Sequence, residues 1–421
     1  MRFLILLLFC APLAAQDTTC DSGDVLWVSE SVNADVDIAA GGAEYNNAAA
    51  PFGIQGAFDA ENLCVGSIVR ILDGANEYGP SSTSWTNRVD TTKKIVVAVD
   101  RDGAFTSHVR VEGWADSSTR CGTSGNQWTA ACPVYLDFDR DNITGDDGFE
   151  FAATGDGYIF EWIGVKNTDA QGFAVDTSST NVMFRSVAVV NSTGSAIGGP
   201  QNSASTWYLY DSYFSNVGTG GSAAIQAAGF SALIANNVID CEPGGSPVAS
   251  QDGLHVPFNL NAPTIVNNVF RNCDSGLWLE QSDAARVVRN TFENHTNACI
   301  HTSNAAVKTM AAMNAFTGCA NSILGGTNHY LLADNVYSAG TGQSNAGQVM
   351  SDADDAQNNN GETFSGASCV FADTTDESMA SGCVLSKSPP GGELASQDAI
   401  VPGIARKSLG GGGTISYGGF Q

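Results

Sequence analysis

The chain has 421 residues, and 44 Asp and Glu against 18 Lys and Arg give a formal net charge of −26. Bulk electrostatics therefore oppose DNA, RNA and anionic membrane as partners. A hydrophobic content of 43% excludes a disordered composition, and 47 glycines suit many short strands joined by turns.

The opening, "MRFLILLLFCAPLAAQ", sets Arg2 before an apolar run and a small-residue exit at Leu13-Ala14-Ala15. That is the pattern of a secretory signal, assigned to residues 1–15. The run is too short to span a bilayer as a mature anchor, and no later stretch is apolar for long enough to form a transmembrane helix. Residues 16–133 are expected to form an N-terminal cap and the first strands, with a short capping helix around "GIQGAFDAENLC" (53–64). Cys10 belongs to the signal, which leaves an even set: Cys20, Cys64, Cys121, Cys132, Cys241, Cys273, Cys299, Cys319, Cys369 and Cys383. In an exported chain without a C-x-x-C pair, such a set reads as disulfides between sequence neighbours.

The segment "DFDRDNITGDDGFE" (137–150) places Asp137, Asp139 and Asp141 at alternate positions. Hard carboxylate oxygens converging from one loop suit a structural calcium ion; a solvated acidic turn is the alternative.

Residues 134–349 carry a repeat. "ANNVIDC" (235–241), "VNNVFRNC" (266–273), "VRNTFENH" (288–295), "MNAFTGC" (313–319) and "DNVYSAG" (334–340) each set an Asn before a short apolar step and a turn. The aligned residues are Asn237, Asn268, Asn290, Asn314 and Asn335, and a second apolar step follows each turn, as in "GLHV", "GLWL" and "ACIH". Short strands at this period, without a helical half, predict a β-solenoid in which no rung buries its apolar face alone. Parallel connections are right-handed, so the fold class is all-β, a right-handed parallel β-helix closed by an irregular C-terminal segment at 350–421. Matching asparagines would stack as ladders, their amides bonded from rung to rung. Cys241 and Cys273 fall in the same turn of adjacent rungs and should pair, as should Cys121 with Cys132 and Cys299 with Cys319.

With these rungs, the stretch "APFGIQGAFDAENLCVGSIVRILDGANEY" (50–78) and the finish "GIARKSLGGGGTISYGGFQ", the chain resembles the secreted proteins of the pectin-lyase-like superfamily. The resemblance implies a glycan partner and, in that family, functions from pectate lyase and polygalacturonase to tailspike and adhesin. The polygalacturonase motifs are not met. "SQDGLHV" (250–256) matches only an Asp-Gly step, "NCDSG" (272–276) offers one Asp for a pair, and G-H-G and R-I-K are absent, as is the D-P-H-D signature of the family's epimerases. The expected function is therefore a secreted, extracellular or periplasmic carbohydrate-binding β-helix of adhesin or receptor-binding type. Its partner is a polysaccharide or cell-surface glycan, without nucleic acid. The alternative is a lyase or glycoside hydrolase acting on an acidic polysaccharide.

A lyase needs a cationic group for the uronate carboxylate and a base for the neighbouring proton. Arg271, Arg286 and Arg289 with His255, His295 and His301 are the candidates, against outward positions that simply pair with Asp240, Glu280, Asp283 and Glu293. Strict alternation in "DGLHVPF" (252–258), "SGLWLEQ" (275–281) and "ACIHTS" (298–303) turns Leu254, Val256, Leu277, Leu279, Ala298 and Ile300 inward. His255, Trp278 and Cys299 then form one outward column, and Pro257, Glu280 and His301 the next. The expected catalytic set is His255, Glu280, His301 and Arg286, with Trp278, Asp252 and Arg289 binding the sugar and a ring stacked on the indole. The bland alternative is that Trp278 packs under a flanking loop, and a one-residue slip in Asn297–Thr302 would turn His301 inward.

Overall fold

The computed structural model describes the chain in pieces between residues 25 and 385. It does so continuously over 157–175, 182–199, 207–226, 233–257, 263–280, 285–303 and 314–333, with shorter stretches outside and between these. The strands wind as a right-handed parallel β-helix with three faces. One coil runs Thr264–Val266 on the first face, Val269–Arg271 on the second and Ser275–Leu279 on the third. Each strand pairs in parallel with its counterparts in the coils before and after. The second face is a sheet of nine strands in strict chain order. The long strand Asn321–Ala333 serves the third face with its first half and the first face with its second.

Alternation dictates which side chains enter the rod. On the first face, Leu26, Val69, Val111, Phe160, Phe184 and Leu209 follow one another inward, register pair by register pair. They join a continuous apolar core in which identical positions stack like on like. Phe270, Phe292 and Phe316 lie nearly parallel with centroids 5.2 and 5.4 Å apart, and Phe149 stacks on Phe173 at 5.3 Å. Parallel stacking costs a rung nothing in new shape, so each coil templates the next.

The bend from the first face to the second usually takes two residues, and it carries the expected ladder. Its first residue sits in the left-handed region, as at Asp211, Asn236, Asn267 and Arg289, a conformation that Asn and Asp tolerate best after Gly. Its second is Ser212 after Asp211 and a buried Asn in the five coils that follow. Asn237 donates through Nδ2 to Oδ1 of Asn268 at 2.9 Å, Asn268 to Asn290 at 3.0 Å, Asn290 to Asn314 at 3.2 Å and Asn314 to Asn335 at 2.9 Å. Each receiving oxygen also accepts the backbone N–H of the donating residue at 2.9 Å. Every polar atom of the buried corner is thereby satisfied along the rod axis. A second, shorter ladder follows the second face, where Asn216 donates to Asn191, Asn191 to Asn167 and Asn167 to the carboxylate of Asp137.

The disulfides Cys121–Cys132, Cys241–Cys273 and Cys299–Cys319 form as the spacing predicts. Cys20, Cys64, Cys369 and Cys383 lie outside the described residues. So does most of the expected capping helix: the described part of 53–64 is the buried Leu63 and a 3-10 turn, Gly56–Phe58, whose buried Phe58 packs edge-on against Phe149. Coiling begins well before 134, since Val25–Val28 already pairs in parallel with Ile68–Leu72. Within 350–421, the described residues beyond Ser351 form one antiparallel pair, Phe364–Ser365 with Val384–Leu385. Among the described residues no helix is long and apolar enough to cross a membrane.

Candidate functional site

On the third face, Gln226, His255, Trp278, His301 and Leu324 are register partners from rung to rung. The inward neighbours Leu254, Val256, Leu277, Leu279 and Ile300 are fully buried, so the column faces outward. Its aromatic members stack. His255 lies 4.0 Å from the Trp278 six-to-five ring system, 6° from parallel, and His301 lies 5.7 Å away on the next rung at 11°. Glu280 sets a carboxylate oxygen 3.2 Å from His255 Nε2, and Trp278 Nε1 donates to the Ser303 hydroxyl at 3.2 Å.

The column differs from the expected one by two residues. Ala298 is the partner of Ser275, not of Leu277, which carries His301 up beside Trp278 and Ser303 up beside Glu280. A slide by two keeps every side chain on its own face, whereas a slide by one would invert them. Cys299 is not outward: it is buried and bonded to Cys319. The strand Ala298–Thr302 starts with two small, buried residues alongside the Ser275-Gly276 step, so the first apolar letter of the string is not the first core position. The expected sugar stack on the indole also changes. Imidazoles lie against both indole faces, which leaves the ring edges and their N–H groups to meet a ligand.

Burial lowers the His255 pKa, opposed by its contact with Glu280, and burial likewise lowers that of His301. Both rings are thus neutral near pH 7, each with one N–H donor and one acceptor nitrogen. With Glu280 and Ser303 they form a strip that carries both donors and acceptors.

The other predicted residues do not join this strip. Asp252 is buried in the turn before His255, where it accepts the Ser275 backbone N–H at 3.0 Å; burial pushes its pKa up to about 6. It positions two rungs and is out of reach of a surface ligand. Arg286 is exposed on the first face, paired in register with Thr264 and Met310, and Arg289 holds the left-handed corner position. Arg271 is buried and gives its Nε to Asp240 at 2.8 Å, one of the pairings that the outward-position alternative names. His295 is buried in the core beside Phe292, its Nδ1 against the Cys273 carbonyl at 3.3 Å, with burial driving its pKa down to about 4. It is core, not catalyst. Asp137 caps the shorter Asn ladder, while Asp139 and Asp141 lie outside the described residues, and among those described no three His, Cys, Asp or Glu side chains converge as a metal site. Ser303 is the one member of the strip that the sequence analysis did not single out; alternation two residues beyond His301 is the signal that finds it.

Residues 152–316 match the family described as "Right handed beta helix region". The fold is accordingly that of a right-handed parallel β-helix. Among solved structures it is similar to pectate lyase Pel9A, at 14% identity and a TM-score of 0.49 over 78% of this chain and 79% of that one. It is also similar to the GH136 lacto-N-biosidase from Eubacterium ramulus, at 9% identity and a TM-score of 0.39 over 78% and 68%. Tailspike protein 3 of bacteriophage CBA120 follows at 11% identity and a TM-score of 0.30, over 72% of this chain and 57% of that one. No curated protein matches the sequence.

Proposed function

We propose that the protein is a secreted carbohydrate-binding β-helix that acts at a cell or glycan surface, with the third-face strip as its binding site. One observation carries this reading: His255, Trp278 and His301 stack in register on the outer side of three successive rungs. The core is complete beneath them, so folding does not need aromatic rings there. Glu280 and Ser303 border the same rings with hydrogen-bonding oxygens. A sugar offers hydroxyls at a spacing close to the rung repeat, and a pre-stacked strip binds them without losing rotamer freedom. The three disulfides fit an oxidising, extracellular compartment, and the acidic loop opening at Asp137 is the calcium site in this reading.

The His255–Glu280 contact supports a second reading, a polysaccharide lyase in which the carboxylate orients the imidazole as base. One experiment addresses both. Glycan binding is measured for the parent and for Trp278→Ala, and acidic polysaccharides are incubated with each while the unsaturated uronate product is followed by absorbance. Loss of binding at an unchanged melting temperature supports the strip. Retained binding with a large fall in melting temperature makes Trp278 a packing residue. Product formation by the parent selects the lyase.

A further inference from the structure

On the first face, Trp27, Arg70, Glu112, Glu161, Arg185 and Tyr210 are register partners over six consecutive rungs. Their strand neighbours Leu26, Val69, Val111, Phe160, Phe184 and Leu209 point inward, so these six form one outward column. At about 4.8 Å per rung it runs roughly 24 Å.

Two carboxylates at its centre, Glu112 and Glu161, are 3% and 6% exposed and stand side by side. Like charges directly opposite one another repel, and arginines answer them. Arg110 reaches Glu112 at 3.2 Å and Glu161 at 2.7 Å. Arg120, brought in by the antiparallel strand Thr119–Arg120, reaches Glu112 at 3.1 Å and also contacts Glu161. Those two guanidinium groups neutralise the pair. Arg185 adds a third, 3.4 Å from Glu161, and Arg70 a fourth, its guanidinium lying over Trp114 at 4.4 Å and Trp27 at 5.0 Å. Four positive charges less two negative leave +2, in a chain whose net charge is −26 and which has only 18 basic residues to place.

Ion pairing among these residues does not need that surplus, and it is presented to solvent. The side chains of Arg185, Arg110 and Arg120 are 57%, 39% and 31% exposed. Next along the rod, the Tyr208 and Tyr210 rings stand parallel, 6.1 Å apart and half-buried. Planar guanidinium groups match the geometry of carboxylate and sulfate, and flanking flat rings suit a sugar that carries them.

We propose that this column is an anionic-sugar subsite, which holds a uronate carboxylate or a sulfate ester of an acidic polysaccharide laid along the rungs. It rests on the carbohydrate reading for the polymer, but the site stands on its own residues, on a different face from the His–Trp strip.

The test is equilibrium binding of galacturonate oligosaccharides, dextran sulfate and unmodified dextran to the full chain and to Arg185→Glu, Arg185→Ala, Tyr210→Ala and Trp278→Ala. The parent should bind at least one acidic probe, more weakly as salt is added, and should not bind dextran at this column. The two acidic probes separate carboxylate from sulfate. Arg185→Glu should weaken acidic binding about tenfold or more at an unchanged melting temperature, Tyr210→Ala should weaken it less, and Trp278→Ala reports whether the third-face strip alone accounts for the binding. If Arg185→Glu fails to fold, Arg185→Ala decides, because it removes only the most exposed of the four groups. The proposal is overturned if neither acidic probe binds, or if the Arg185 variants bind like the parent, which would make the arginines a structural ion-pair network. Loss on Trp278→Ala alone would overturn it too while leaving the third-face strip intact.

Discussion

Replacing His295 with Leu should protect the protein against acid. The ring is fully buried, and burial moves its pKa from 6.5 down to about 4. The unfolded chain therefore takes up a proton in this window that the folded chain refuses. Stability from this group is full above pH 6.5 and is lost as pH falls toward 4. A displacement of that size is worth about 3 kcal/mol, at 1.36 kcal/mol per tenfold in proton affinity. Asp252, two rungs away, works in the opposite direction. Burial raises its pKa from 3.8 to about 6, so the folded state holds a proton that the unfolded chain has released. Its contribution is full below pH 3.8 and is lost as pH rises through 6, again about 3 kcal/mol. Over the shared window, about pH 4 to 6, the two slopes nearly cancel in the parent. Urea denaturation of parent, His295→Leu and Asp252→Asn at pH 4, 5, 6 and 7 exposes them, read as differences from the parent so that other carboxylates drop out. His295→Leu should gain about 3 kcal/mol on the parent between pH 7 and pH 4, and Asp252→Asn should gain a similar amount between pH 4 and pH 6. Differences that stay flat with pH in both variants would refute the assignment of both groups as buried and shifted.

Asn268→Ala should cost about 3 kcal/mol or more by denaturant midpoint, because it strips partners from the Asn237 backbone and side-chain N–H groups and from the Ile234 carbonyl; a loss below about 1 kcal/mol would mean that water replaces the ladder. Gly276→Ala should destabilise by about 1–3 kcal/mol, since a Cβ there would meet Phe292 Cδ1 at 2.6 Å, His295 Nε2 at 2.7 Å and the Cys299 carbonyl oxygen at 2.8 Å; pairing it with His295→Leu should recover part of the loss. Melting with calcium and with a chelator tests the acidic loop: the midpoint should fall on chelation, and an unchanged midpoint leaves a solvated turn.

The ladder and the three disulfides were legible in the sequence because each is announced by one repeated letter in a repeated setting. Asn237 and Asn268 share their neighbours as well as their role, and Cys241 and Cys273 fall at the same point of that repeat. The third face was legible in its alternation but not in its columns. Ala298 and Cys299 are small enough to be buried together at a strand start, and nothing in their chemistry marks where the core positions begin. The glutamate–arginine column was not legible. Its contacts join residues 41 and 51 apart, across rungs without a shared motif, so only the folded register brings them together.

The two-residue Asn corner has one further consequence. Between Asp240 and Leu254 the chain takes a detour, which is why the step from Asn237 to Asn268 is 31 residues while those that follow are 22, 24 and 21. Because each buried amide is locked to the one above it, the detour is forgotten by the time the chain reaches the next corner. The corner acts as a clock that resets phase once per turn, so insertions elsewhere in a coil do not accumulate as misalignment. Such a rod can change its loops freely over evolutionary time and still keep both outward columns in line.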